Sequence, residues 1–351
     1  MKNTNIFLVG TGLIGSTLLR QIQEQKKQEK LAIHIAGLAN IDSMLFANKG
    51  DILQNWEQKL KKGQSVDLKV FVRQMIAMNL EWSVFIDCTA SESIVALYPS
   101  ILNAGIAIIT PNKKANSGAL KTYKKLKELS KKNNVPFIYE ANVGAGLPII
   151  HSVQGLVKSG DEVLEIQAIL SGTLSYIFNT FSNGKDKNTF SNIVKDAQKK
   201  GYTEPDPRND LNGMDFGRKM LILGREIGLP MELRQVRVEQ LLPAECMNAK
   251  SVPEFFTTLA KFDKDFEERK IKAQKNNKVL RYIGKLKNGQ ASISLQEVDS
   301  THPFFAMSGS DNIISIKTKR YNDTPLVIKG PGAGAEVTAG GLLASIIRIM
   351  K

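Results

Sequence analysis

The sequence predicts an α/β protein, in which a doubly wound parallel sheet is joined to a second domain of α+β type. Three observations carry this. Short apolar runs alternate with helical stretches through the first 150 residues, a glycine turn stands between the first run and the first helix, and beyond residue 150 the rhythm changes to longer helices and strand pairs. At 351 residues the chain exceeds the length over which one core keeps growing, and 42% hydrophobic residues can fill two.

The elements follow in order. "NIFLVGTGLIGSTLLRQIQEQ" reads as strand, glycine turn and helix, and "LAIHIAGLAN" (31–40) is the next apolar strand, so together they form a βαβ unit. "WSVFIDCTA" (82–90), "GIAIITPNKKA" (105–115) and "VPFIYEANVGAG" (135–146) are apolar runs that end in polar or glycine residues, each after a helical stretch. Function in such a sheet belongs at the carboxyl ends of the strands. Further on, "DEVLEIQAILSGTLSYIFNTF" predicts a strand feeding a helix, and "NKVLRYIGKLK" and "ASISLQEV" predict strands. "GPGAGAEVTAGGLLASIIRIM" predicts a glycine turn and an apolar helix that can return to the first domain. The expected division is 1–150, rejoined by 331–351, and 151–330.

Composition excludes several classes. Cys88 and Cys246 are too few for a disulfide framework and lack metal-ligand spacing with His34, His151 and His302, which suits a reducing cytoplasm. Lys2 and the apolar stretch behind it imitate a signal peptide, but no small-residue cleavage site follows, and no apolar run reaches membrane-spanning length. A net charge of +14 raises nucleic acid as a partner. The lysines instead lie in runs such as "KTYKKLKELSKK" (121–132), spaced as solvated helix faces with few aromatics between them. Neither nucleic acid nor membrane is expected as a partner. A general field drawing in anions, such as a phosphate-bearing cofactor, remains.

The glycine turn is the first candidate site. Gly10, Thr11, Gly12, Leu13, Ile14 and Gly15 stand between strand and helix, where glycines allow a tight turn and close approach to a pyrophosphate, and the helix N-terminus offers N–H donors. That makes the first domain a Rossmann-type dinucleotide site. Where an acidic residue would grip the adenosine 2′-hydroxyl stands Asn40, with Asp42 two residues on, which favours NADP slightly over NAD.

Lys113 emerges at the end of another strand, facing the same crevice. Glu140 opens a glycine-rich stretch that reads first as an interdomain turn, with a hard-cation site of carboxylate and carbonyls as the alternative.

"GYTEPDPRNDLNGMDFGRKM" (201–220) gathers carboxylates in an otherwise basic chain. Pro205 and Pro207 stiffen a loop, Asp210 or Asn212 can cap, and a helix then runs to Gly228 with Asp215 and Lys219 on one face. The plain reading is an exposed i,i+4 ion pair worth about 0.3–0.5 kcal/mol. The functional reading makes Lys219 a proton donor fixed by Asp215 beside a carbonyl that receives a hydride, with Glu204 binding a cationic substrate group.

Together, "GTGLIG", "TPNKKA", "YEANVGAGLPII", "SGTLSYIFN", "GYTEPDPRNDLNGMDFGRK" and "GPGAGAEVTAGG" resemble homoserine dehydrogenase, which interconverts aspartate semialdehyde and L-homoserine with NAD(P). The resemblance covers essentially the whole chain and is closest to the yeast-like form and the dehydrogenase half of bifunctional aspartokinase–homoserine dehydrogenases. It implies Lys219 as proton donor and acceptor, and Glu204 and Asp215 as substrate ligands with Asp210, Thr173 and Tyr202 beside them. It further implies Lys113 at the nicotinamide, Thr89 and Gly334 as cofactor contacts, and a monovalent cation, usually sodium, at Glu140 and the carbonyls of Val143, Ala145 and Leu147. A homodimer built through the second domain is implied too. From the length, neither a kinase nor a regulatory domain is expected. Rival readings are a dehydrogenase of a related amino-acid carbonyl, which would not keep the 201–219 constellation, and a non-catalytic NADP-binding sensor, which would lose its lysines.

Overall fold

A computed structural model describes residues 3–29, 31–47, 51–183 and 188–350, so Lys2 of the signal-like N-terminus lies outside the described residues. The chain forms two units, one of residues 1–148 and 333–351 and the other of residues 149–332.

The first unit holds β1 (Thr4–Val9), β2 (Ile33–Ala39), β3 (Ser43–Phe46), β4 (Gln64–Ser65), β5 (Ser83–Asp87), β6 (Ala107–Ile109) and β7 (Phe137–Ile138). They form one sheet in the order β4-β3-β2-β1-β5-β6-β7. β2, β1, β5, β6 and β7 are parallel, whereas β3 pairs antiparallel with β2, and β4 antiparallel with β3, at the edge. β1 is flanked by β2 on one side and β5 on the other, so the direction of winding reverses between β1 and β5. The crevice beyond the carboxyl ends of those two strands is where such sheets bind ligands.

The strands are short runs of Ile, Leu, Val and Phe because they are buried on both faces: Ile6, Phe7, Leu8, Ile35, Phe85 and Ile86 are fully enclosed. The helix Leu13–Glu29 buries Leu18, Leu19 and Ile22 into the same core as Ala339, Leu342 and Ile346 of the last helix, Ala335–Met350. Apolar residues at three- and four-residue spacing on both helices account for that contact.

The second unit holds β8 (Val163–Ile169), β9 (Val236–Val238), β10 (Val279–Lys287), β11 (Gln290–Val298), β12 (Asn312–Thr318) and β13 (Leu326–Gly330), in the order β13-β12-β8-β10-β11-β9. All pairs are antiparallel except β11 with β9. Helices Gly172–Phe181 and Met214–Glu226 belong to this unit and carry Thr173, and Asp215 with Lys219, respectively. Among the described residues no helix is long and apolar enough to cross a membrane.

Candidate active site

In the first unit, the glycine turn follows β1 and opens the helix Leu13–Glu29. A Cβ built on Gly10 would stand 2.9 Å from the Cys88 backbone, so the turn lies directly against the chain leaving β5. A Cβ on Gly15 would lie 2.1 Å from the Gly10 carbonyl oxygen, whereas one on Gly12 would meet nothing within 4 Å. The packing therefore forces glycine at 15 and leaves open space at 12; in motifs of this spacing the second glycine is where the backbone comes close to a pyrophosphate. Leu13, 75% exposed, and Ile41, 89% exposed, stand just beyond the ends of β1 and β2 as apolar surface that a nucleotide could cover.

The Asn40 side-chain oxygen accepts from the backbone N–H groups of Asp42 (2.8 Å) and Ser43 (2.7 Å), which fixes the β2–β3 turn. Thr89 donates its N–H to Asp87 and accepts from the N–H of Ser91. Lys113 is half-buried at the start of the short helix Lys114–Ser117, and its carbonyl anchors Ser117. Gly334, with a φ of +113°, opens the last helix by accepting from Thr338 through its carbonyl.

Glu140 is buried at the head of the turn 140–148. The turn is closed by N–H bonds into the carbonyls of Tyr139, Glu140 and Gly144. Among the described residues the carbonyls of Val143 and Ala145 accept no hydrogen bond. A buried carboxylate and uncommitted carbonyl oxygens within one short turn are the oxygen donor types that suit a hard cation. Among the described residues no group of three His, Cys, Asp or Glu offers a metal site of another kind.

In the second unit, Lys219 places its ammonium 2.9 Å from Asp215, one turn earlier on the same helix, and 2.7 Å from the carbonyl of Leu170 at the end of β8. The lysine side chain is 12% exposed and the aspartate 53%. Both partners are acceptors, so Lys219 is held at two points with its head group fixed in space.

Leu170 leads into the helix Gly172–Phe181, capped by the Ser171 hydroxyl on the N–H of Leu174. Thr173, buried in its first turn, donates to the Tyr202 carbonyl and to Asp210 (3.1 Å). The other Asp210 oxygen accepts from the N–H of Glu204 at 2.8 Å. Burial pushes the Asp210 carboxyl above the usual carboxylate range, reinforced by the Glu204 and Asp215 charges and opposed by its bonds from Glu204 and Thr173. The Tyr202 ring rests 4.7 Å from that of Tyr176.

The expected helix differs. A short helix, Arg208–Leu211, comes first, and the main helix starts at Met214 after Gly213, whose φ is +70°. A Cβ there would meet Val238 at 2.8 Å, so both the positive φ and the packing call for glycine at the break. Asn212 supports the restart by accepting from the N–H of Met214, while Asp210 holds the loop instead of capping.

With this geometry in place, comparison with known proteins is decisive. The homoserine dehydrogenase family model matches residues 148–347, and the model for the NAD-binding domain of homoserine dehydrogenase matches residues 10–140. The homoserine dehydrogenase of Saccharomyces cerevisiae is 42% identical over 100% of this chain and 99% of its own. The chain belongs to the homoserine dehydrogenase family. It is also 42% identical to bifunctional aspartokinase/homoserine dehydrogenase 2 of Arabidopsis thaliana, covering 97% of this chain but spanning only 38% of that longer relative. A crystal structure of a Candida auris protein of unknown function, 38% identical, superposes with a TM-score of 0.93 over 99% of this chain and 98% of its own.

For a homoserine dehydrogenase family member, two features of this site escaped sequence reasoning. One is the Leu170 carbonyl that holds Lys219, a backbone atom with no signature of its own. The other is Arg208, which forks onto Asp206 and reaches the carbonyls of Met247 and Ala249, anchoring the loop that carries Glu204. Its spacing from Asp206 was the available signal.

Proposed function

We propose that the protein is a homoserine dehydrogenase, interconverting L-aspartate 4-semialdehyde and L-homoserine with NAD(P) in the supply of threonine and methionine. The observation that carries this reading is the mostly buried Lys219 ammonium, held at two points by Asp215 and Leu170. When bound, the nicotinamide supplies or takes the hydride.

Lys219 then gives a proton to the alkoxide oxygen as charge develops there, and in the reverse direction its neutral amine takes the hydroxyl proton. Asp215 keeps the amine aimed, and its exposed carboxylate, with Glu204, receives the substrate ammonium. Asp210 and Thr173 fix the Glu204 and Tyr202 backbone from behind.

The first unit and the returning segment 331–351 are assigned the cofactor, which Gly10 to Gly15, Thr89, Lys113 and Gly334 would hold, and 151–330 is assigned substrate binding and dimerisation. An asparagine in place of a carboxylate after β2 supports NADP over NAD. The buried Glu140 with the carbonyls of Val143, Ala145 and Leu147 would hold sodium, orienting the turn. A homodimer in the cytoplasm completes the reading.

The test follows nicotinamide reduction with L-homoserine and either NAD or NADP, in wild type and Lys219→Ala. Homoserine-dependent reduction that the variant loses, while still binding NADP, supports the assignment. Equal turnover in the variant removes Lys219 from the mechanism, and no turnover in wild type that binds NADP leaves the sensor reading.

A further inference from the structure

One buried carboxylate has no part in the chemistry above. Asp87 closes β5, is 0% exposed, and among the described residues pairs with no cation. Its Oδ2 accepts from the Tyr98 hydroxyl (2.6 Å) and the Asn112 amide (2.9 Å), and its Oδ1 accepts from the N–H of Thr89 (2.8 Å). Its carbonyl accepts from the Thr110 hydroxyl at 2.8 Å.

The network spreads from there along the carboxyl edge of the sheet. The Asn112 amide also bonds the Ser91 carbonyl (2.9 Å), and its oxygen accepts from the N–H of Lys114 (3.1 Å). On the far side, the Thr110 carbonyl accepts from the Asn142 amide at 3.0 Å. The carboxylate thus ties the loop after β5 to the loop after β6, while the Asp87 backbone carbonyl, through Thr110, extends the network to the turn that begins at Glu140.

An isolated buried carboxylate is expensive, and an apolar side chain could close this strand end at no such cost. Burial indeed pushes the Asp87 carboxyl upward against the pull of its donors. What the charge gains is reach: three hydrogen bonds, one from each of the loops after β5 and β6 and one from the helix Tyr98–Asn103, converge on two oxygen atoms, which no apolar side chain can do. Those loops carry Thr89 and Lys113.

We propose that Asp87 is a positioning residue for the nicotinamide cofactor, clamping through Tyr98, Asn112 and the Thr89 N–H the two loops that present Thr89 and Lys113. The inference rests on the dehydrogenase reading, and its test has an arm that does not. Asp87→Asn replaces one acceptor oxygen by an NH2 group that confronts the donors of Asn112, Tyr98 or Thr89.

The experiment compares wild type and Asp87→Asn by amide hydrogen exchange, NADP affinity and steady-state kinetics. Faster exchange confined to 88–92 and 110–117 is expected, with a Kd and KM for NADP raised roughly tenfold and a KM for homoserine within about twofold of wild type. Unchanged exchange in those loops overturns the proposal, as does a loss of thermal stability with NADP affinity unmoved. Should Asp87→Asn not fold, Tyr98→Phe, which removes one donor and keeps the carboxylate, carries the same expectation at smaller size. Should wild type fail to oxidise homoserine, the substrate assignment falls, and the exchange arm decides on Asp87 alone.

Discussion

Individual residues divide the glycine motif in a way that the motif itself conceals. All three glycines were legible in "GTGLIG", but their reasons differ, because a Cβ on Gly15 meets the Gly10 carbonyl at 2.1 Å and one on Gly12 meets nothing within 4 Å. Gly12→Ala should therefore melt with wild type and bind NADP about tenfold more weakly, while Gly15→Ala should lose about 1–3 kcal/mol of stability. Calorimetry with a cofactor titration checks both, and a Gly12→Ala protein of unchanged affinity would mean that the open space is not the pyrophosphate approach. Asp210 gives a pH signature. Its raised pKa means that it takes up a proton, as pH falls, before an ordinary carboxyl does, so its ionised form costs stability at neutral pH and that cost is relieved in acid. Substrate ammonium binding needs the negative charge around it, so the KM for homoserine should climb as pH drops toward the upper carboxylate range. In Asp210→Asn the KM should be high at neutral pH and flatter with pH. An identical profile in the variant would exclude Asp210 as the titrating group.

Elements were legible where one physical signal dominated. The parallel strands read clearly because burial on both faces makes them continuous apolar runs, and the last helix read clearly from its apolar spacing. β3 and β4 did not, since edge strands of four and two residues carry no period to detect. The segment 211–228 read as one helix on its apolar spacing; the break falls at the Asn212–Gly213 pair, where Gly213 takes a φ of +70° and Val238 and Tyr282, distant in sequence, leave no room for a Cβ. The same long-range logic governs Asp51, which bonds Lys26 and the N–H groups of Leu53 and Ile35 and so pins the chain to β2. Burial alone would raise its carboxyl, but Lys26 and the two N–H groups outweigh this and hold it below the usual range. A depressed carboxylate pKa contributes stability in full above the unfolded value and loses it as pH falls through the folded value. Asp51→Asn should thus cost about 1 kcal/mol at neutral pH, and the gap should close progressively below about pH 4. Thermal melts of both proteins across that range test it, and a gap independent of pH would remove the ionised carboxylate from the account.

At the scale of the whole molecule, the net charge of +14 has a consequence that separates the two ligands. NADP is a polyanion, whereas homoserine at neutral pH is a zwitterion with no net charge, so a long-range positive field favours encounter with the first and is indifferent to the second. Local contacts cannot make that distinction by themselves, because a lysine meets each ligand in the proposed reading, Lys113 the cofactor and Lys219 the substrate. Salt can: raising ionic strength from about 0.01 M to about 0.15 M shortens the screening length from roughly 30 Å to roughly 8 Å, erasing the distant field while leaving contact pairs largely intact. With sodium held constant and choline chloride as the added salt, so that any cation site keeps its ion, the KM for NADP should rise several-fold while the KM for homoserine stays flat. NAD, with one phosphate fewer, should respond less steeply than NADP. If both substrates respond alike, the excess of lysine serves only to keep the surface solvated, and cofactor capture depends on the crevice between the ends of β1 and β5 alone.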